Sequence, residues 1–437
     1  MHRIWKSYQT ENKEDFRNQL LTYTAQFNEF IFLDSCDNTV YGKNEFDFLL
    51  AAGNYKNIQC NAGNTFDALK EFINENNDWC FGYFGYDLKN EIEDINSNNK
   101  DEIGFEDMLF FIPEAIIICE DSEIKIGIID NNADKIFSTI LNIPPKLLPF
   151  QGKKEGIPLT ARVSKQNYLQ KIKQLQQHII EGNVYEINLC QEFYAEEVEI
   201  NPLKVFDALC KRSKAPFSVL FKWEEKFLIS ASPERFLKKE GNRITSSPMK
   251  GTIKRGNTKD EDEYLKNELS QSLKDKAENV MIVDLVRNDL TKSARTGTIK
   301  IDELFAVYSF EHVHQMVSTV SAEVRNDLHV VDIIKNAFPM GSMTGAPKVM
   351  AMELIERYEE TKRGVYSGAF GYFTPEKDFD FNVVIRSIIY NSEKRYVSAQ
   401  VGGAIVYDSD PEEEYEECLV KLRALIDVLN VHADRTD

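Results

Sequence analysis

Residues 364–406 read GVYSGAFGYFTPEKDFDFNVVIRSIIYNSEKRYVSAQVGGAIV, and this stretch decides the fold class. Aromatic and β-branched residues fill three runs, Tyr366 to Phe373, Phe379 to Tyr390 and Tyr396 to Val406, with glycine and short polar loops between them. Loops this short join strands antiparallel, because a parallel crossover needs a dozen residues or more. Pro411 then opens a helical pattern through Leu429. Further back, the polar turn Glu224-Glu-Lys226 separates strand-like runs Phe217 to Trp223 and Phe227 to Ala231, and strands are expected at Ile299 to Ile301 and Val313 to Val320. Helical periodicity is interleaved with them. Ser164 can cap a helix carrying Tyr168, Ile172, Leu175 and Ile179, and a long pattern runs from Asp260 to Leu290. The class is therefore α+β with a large antiparallel sheet system.

The segment Asn142 to Gly156, rich in proline, glycine and lysine, reads as a connector. It separates residues 1–150, expected to pack on the same core, from residues 151–437, which hold the candidate chemistry. With 52 Lys and Arg against 71 Asp and Glu, the net charge is −19 and the pI about 5.0. That balance argues against nucleic acid or an anionic membrane as partner, since both need clustered basic surface. No apolar run approaches the roughly 20 residues that span a bilayer, and the start Met1-His-Arg-Ile-Trp-Lys6 lacks the apolar centre of a signal peptide. Seven cysteines with no C-x-x-C pair fit reduced thiols, so a cytoplasmic protein is expected.

Two acid pairs, Asp275 with Glu278 and Glu414 with Glu417, are spaced so that both carboxylates leave one helix face. The bland reading is a solvated acidic face; the functional one is a hard cation, and Mg²⁺ suits one or two carboxylates completed by water or ligand oxygens. Glu278 lies in an unusually apolar stretch, which favours burial and hence a partner. Two glycine-rich strings, Gly341 to Lys348 and Gln400-Val-Gly-Gly403, are either tight turns or places where backbone N–H groups approach an anion. Arg386 follows Phe381-Asn-Val-Val-Ile385 and reads as a strand arginine that pairs with an acid or captures a ligand carboxylate. Lys250 sits between a proline-led turn and a glycine. On a surface it is a turn residue; in a closed, dry pocket its amine could lose its proton and act as nucleophile or base.

Seven motifs stand in a telling order: Ser232-Pro-Glu-Arg-Phe-Leu237, Pro248-Met-Lys-Gly-Thr252, Lys274 to Asp289, Gly341 to Lys348, Arg363 to Tyr372, Val384-Ile-Arg386 and Asp408 to Lys421. Together they resemble the chorismate-utilising enzymes over roughly residues 155–430, with Phe81-Gly-Tyr-Phe-Gly-Tyr-Asp87 the chief match before that. The resemblance implies two antiparallel sheets packed as a sandwich with helices outside. It implies Mg²⁺ held by Glu278 and Glu417, with Asp275 and Glu414 holding metal waters. Chorismate would be bound by Thr252, Gly345, Lys348, Tyr372, Arg386, Gly402 and Gly403.

Individual residues then narrow the chemistry. Anthranilate synthases resemble this chain but carry alanine where Lys250 stands, whereas lysine there marks many aminodeoxychorismate synthases. Glu186 occupies the place of the water-activating lysine of isochorismate and salicylate formers, and Gln315 that of a histidine associated with pyruvate elimination. The implied reaction is amination of chorismate to 4-amino-4-deoxychorismate, for p-aminobenzoate and folate, with Lys250 adding to the ring and Glu234 protonating the leaving hydroxyl. The sequence contains no G-x-C-x-G nucleophile motif, so ammonia is expected from a separate glutamine amidotransferase subunit. The alternatives are anthranilate synthase component I and an inactive ligand-binding or scaffold subunit.

Overall fold

The stretch that decides the class folds as four strands rather than three. Ala369–Phe373 and Phe379–Val383 form a hairpin with Gly371 opposite Phe381, but the chain then leaves that sheet. Ser387–Asn391 pairs instead with Lys226–Ser232 and with Tyr396–Ile405 in a second sheet. The corner is Arg386, whose φ of +51° is left-handed, an unusual conformation for a residue with a Cβ. Arg386 is therefore not a strand residue. A single strand cannot serve both sheets, and the corner sets this side chain between them.

The computed structural model describes residues 3–42, 45–129, 132–146 and 157–430. Most of the connector, residues 147–156, lies outside them. The described residues form a twelve-stranded and a ten-stranded sheet, and every paired strand runs antiparallel to its neighbour. Strands from the first 150 residues enter both. Glu29–Asp34 pairs with Phe217–Trp223, and Cys80–Phe84 pairs with Ala369–Phe373, bringing Phe81 opposite Tyr372. Asp87 at the end of the same motif accepts a hydrogen bond from the Gly364 N–H at 3.0 Å.

Between the sheets lies an aromatic core in which Tyr83 and Phe370 of the ten-stranded sheet meet Phe221 of the twelve-stranded one, all fully or almost fully buried. The outer face of the larger sheet is covered by helices, among them Lys165–Ile180 with Tyr168, Ile172 and Leu175 buried and Pro411–Asn430 with Cys418, Leu422 and Leu425 buried. Ser164 caps the first by accepting from the Asn167 N–H, as its sequence predicts. The long pattern from Asp260 to Leu290 is two helices, Lys259–Gln271 and Leu273–Thr291. Ser272 takes non-helical geometry between them, and its hydroxyl caps the second helix by accepting from Asp275 N–H. A serine that binds backbone locally competes with helix continuation.

Candidate active site

Lys250 lies on Met249–Lys254, at the end of the ten-stranded sheet and covered by the helix Leu273–Thr291. Its ammonium donates to Glu186 Oε1 at 2.8 Å and stands 3.8 Å from Glu278 Oε2. Glu186 opens the strand Glu186–Ala195 of the other sheet, so this ion pair bridges the two sheets. Burial favours the neutral amine, as a dry pocket should, but Glu186, Glu278 and Glu417 outweigh it and hold Lys250 above the ordinary lysine range. The resting amine is therefore an ammonium, and it must give up a proton before it can act as nucleophile or base. Asn279, a residue that the sequence reading passes over, fixes the position of this lysine. Its amide donates to the Lys250 carbonyl at 3.4 Å and accepts from Ser318 Oγ at 2.6 Å.

The acid pairs flank this lysine from two helices. Glu278 is half-buried, and its carboxyl is raised by burial, with Glu186 and Asp275 adding to the shift and Lys250 opposing it. Asp275 lies against Gly251, where an added Cβ would meet Asp275 Oδ1 at 2.9 Å. On Pro411–Asn430, Glu414 accepts from Ser409 Oγ at 2.7 Å and is raised by burial, while Glu417 pairs with Lys421 at 2.7 Å. Burial pushes Glu417 up too, but Lys421 and Lys250 leave it below the ordinary value. Gly403 brings the strand Tyr396–Ile405 against these acids: a Cβ there would sit 3.1 Å from Glu414 Oε2 and 3.9 Å from Glu417 Oε1. Hard oxygen donors, two of them raised by burial, suit a small dication. Their atoms do not converge as three mutual neighbours; among the described residues only Asp34, Cys36 and Cys210 do so.

Two chain segments cross between the sheets side by side, and each contributes one group. Val383 N–H bonds the Glu234 carbonyl and Ala231 N–H bonds the Arg386 carbonyl, so Glu234 and Arg386 share one corner. Glu234 is buried and accepts from Ser342 Oγ at 2.7 Å. Burial raises its carboxyl to about 7, against the lowering effect of Ser342, Lys250 and Arg386. Burial lowers the Arg386 guanidinium, with Glu234 opposing. Among the described residues no salt bridge or side-chain hydrogen bond engages Arg386, which is half-buried.

Residues 25–427 match the family model described as chorismate binding enzyme. The chain belongs to that family. It is 34% identical over 351 residues to aminodeoxychorismate synthase component 1 of Salmonella typhimurium, covering 79% of this chain and 75% of the relative. It is 33% identical over 366 residues to anthranilate synthase component 1 of Acetivibrio thermocellus, covering 79% and 74% respectively. The crystal structure of anthranilate synthase component I from Streptococcus pneumoniae superposes with a TM-score of 0.76 at 25% identity, over 86% of this chain and 91% of that one. The family's α+β fold with two antiparallel sheets is thus the fold observed.

Within this chorismate-binding fold, the remaining expected site residues are engaged as follows. Lys348 donates to Asp289 Oδ2 at 2.6 Å and to the Ala337 carbonyl at 3.1 Å, which uses its charge inside the protein. Asp289 is about 16 Å along the helix from Glu278, by a rise of roughly 1.5 Å per residue, and both partners of Lys348 line a cavity with Glu234 and Ser342. Tyr372 belongs to a different cavity. Its hydroxyl donates to Glu45 Oε2 at 2.9 Å, its ring packs on Trp79 and Phe81, and it lines a space of about 90 Å³ with Leu33, Ser35 and Asp380. Thr252 is exposed, opposite Gln315 on the neighbouring strand. Gly345, at φ +150°, presses on the Glu186 carbonyl so closely that a Cβ would lie 2.2 Å from it. Gly402 pairs with Cys190, whose thiol reaches the Tyr366 hydroxyl at 3.8 Å. Tyr366, buried in the turn before the strand, is thus nearer the glycine pair than Tyr372 is; no spacing rule in the sequence separates the two tyrosines.

Proposed function

We propose that this chain aminates chorismate with ammonia at carbon 4, giving 4-amino-4-deoxychorismate for p-aminobenzoate and folate synthesis. The observation that carries the reading is Lys250, held against Glu186 where the water-activating lysine of isochorismate formers is expected. Relatives named aminodeoxychorismate synthase support it. An inactive scaffold has no need of a buried lysine, two acid pairs and an arginine without a protein partner around one space.

In this reading Arg386 binds one substrate carboxylate bidentately. Glu278 and Glu417 would hold Mg²⁺, backed by Asp275 and Glu414, and a bound dication supplies charge neutralisation and polarisation of a substrate oxygen. The Lys250 ammonium gives up one proton and its amine adds to the ring, while Glu234, protonated near neutrality, gives its proton to the departing 4-hydroxyl and is restored by the proton from Lys250. Ammonia then enters and lysine leaves. In the cell the ammonia would come from a separate glutamine amidotransferase subunit.

The second reading is anthranilate synthase component I, favoured by a relative of nearly equal identity. Gln315 weighs against it. It is buried with its amide oxygen unpartnered, and a neutral amide has no accessible proton-transfer equilibrium for eliminating pyruvate. The deciding experiment is the purified chain with chorismate, ammonium and Mg²⁺, analysed by mass. The expected product retains the enolpyruvyl group, with no pyruvate in a coupled lactate dehydrogenase assay; stoichiometric pyruvate would exchange the two readings. Glutamine in place of ammonium should give no turnover by the isolated chain. For the metal, Mg²⁺ is expected to raise the wild-type melting temperature by about 2–4 °C, a binding effect. A Glu278→Gln/Glu417→Gln variant should lack that rise, and an equal rise would remove these residues as ligands.

A further inference from the structure

Glu186 is buried on the strand that faces Lys250, with its side chain 3% exposed. Among the described residues its only side-chain hydrogen bond is the one from Lys250 to Oε1 at 2.8 Å; Oε2 is buried and has no partner. We propose that Glu186 is the seat of the nitrogen nucleophile: the carboxylate that holds the Lys250 ammonium at rest holds an ammonium ion once Lys250 has moved onto the ring. The inference rests on the amination reading, because it needs Lys250 to leave its place.

When the Lys250 amine bonds to substrate, Glu186 loses its one hydrogen-bond donor. A buried carboxylate left without its partner is strongly disfavoured, so a cation is drawn to the position the lysine head has vacated. The main chain of Glu186 is held in place, since Gly345-Ala346 pairs with Glu186-Ile187. At rest the carboxylate holds a primary ammonium head, so ammonium, of the same charge and rich in N–H donors, is the occupant that replaces it.

This coupling sets an order, with nitrogen taken up only after substrate has engaged the lysine. Over the whole cycle the carbon–oxygen bond at carbon 4 breaks and a carbon–nitrogen bond forms there. The proton that Lys250 gives up leaves with hydroxide as water, the proton that ammonium releases returns to the departing Lys250 amine, the product retains its amine as –NH₃⁺, and Lys250 and Glu186 end as an ion pair. Nothing is oxidised or reduced.

Lys250→Ala vacates the seat permanently, which allows a test without turnover. Its melting temperature in ammonium chloride should exceed that in sodium chloride of equal ionic strength by about 2 °C or more. Lys250→Ala/Glu186→Gln should show no difference between the salts. Equal melting in both salts for Lys250→Ala overturns the proposal. Should that variant fail to fold, steady-state kinetics of Glu186→Gln decide: the KM for ammonium should rise at least about tenfold, with the KM for chorismate within about twofold. An unchanged ammonium KM overturns the seat. A wild-type chain that yields no aminated product instead overturns the amination reading, while the salt-dependent melting still decides whether Glu186 binds ammonium.

Discussion

Lys250→Ala is expected to lower ammonium-dependent turnover of chorismate by about three orders of magnitude, the scale of a group acting directly on the reacting atoms. Chorismate binding should remain measurable, because Arg386 at the other side of the site is untouched. The substitution also leaves Glu186 as a buried charge without its partner, which destabilises by about 3–5 kcal/mol. Stability and chemistry are therefore confounded in the single variant. They separate in Lys250→Ala/Glu186→Gln, which removes the orphaned charge: it should recover much of the melting temperature and none of the turnover. Partial rescue of Lys250→Ala by a small primary amine would mark the lysine nitrogen itself as the acting group. Wild-type turnover in the alanine variant would reduce Lys250 to a turn residue.

The glycine-punctuated strands and the capped helix at Ser164 are legible because they obey local rules of period and capping. Arg386 shows where such rules stop. Its neighbours Val383, Val384 and Ile385 all read as strand, and nothing in that pattern says that the chain changes sheets there. The corner is fixed by pairing to Arg235–Glu240 on one side and Lys226–Ser232 on the other, partners some 150 residues away in sequence. The partners of Lys348 and Tyr372 are hidden for a related reason. Each sits in a recognisable motif, but whether a side chain faces the shared space depends on its partner, and Asp289 and Glu45 claim these two. Lys250, Glu278, Glu234 and Arg386 converge from four separate segments, a fact that motif order suggests and only the two sheets bring about.

Glu234→Gln is expected to cut turnover by about 10²- to 10⁴-fold, the range for loss of a general acid, while making the protein more stable at pH 8. The two effects have one cause. Burial raises this carboxyl from its ordinary range to about 7, so it carries a proton at pH 6 and loses it above neutrality. As a proton donor it supports catalysis below that value, and wild-type turnover should fall about tenfold per pH unit above it. The groups facing it, Ser342, Arg386 and Lys250, all favour the ionised form, and burial outweighs them. The linkage sign follows: the folded state binds the proton more tightly than the unfolded state does, so folding stability declines as pH rises from the unfolded value toward about 7. At pH 8 the wild type has lost on the order of 3 kcal/mol that a neutral amide does not lose. The amide oxygen can still accept from Ser342, so the local hydrogen bond survives. A merely damaging substitution lowers both activity and melting temperature. Lower turnover with a flattened alkaline limb and a higher melting temperature at pH 8 would identify Glu234 as the buried acid. A variant that melts below wild type at pH 8, or keeps its alkaline limb, would assign the proton transfer to another group.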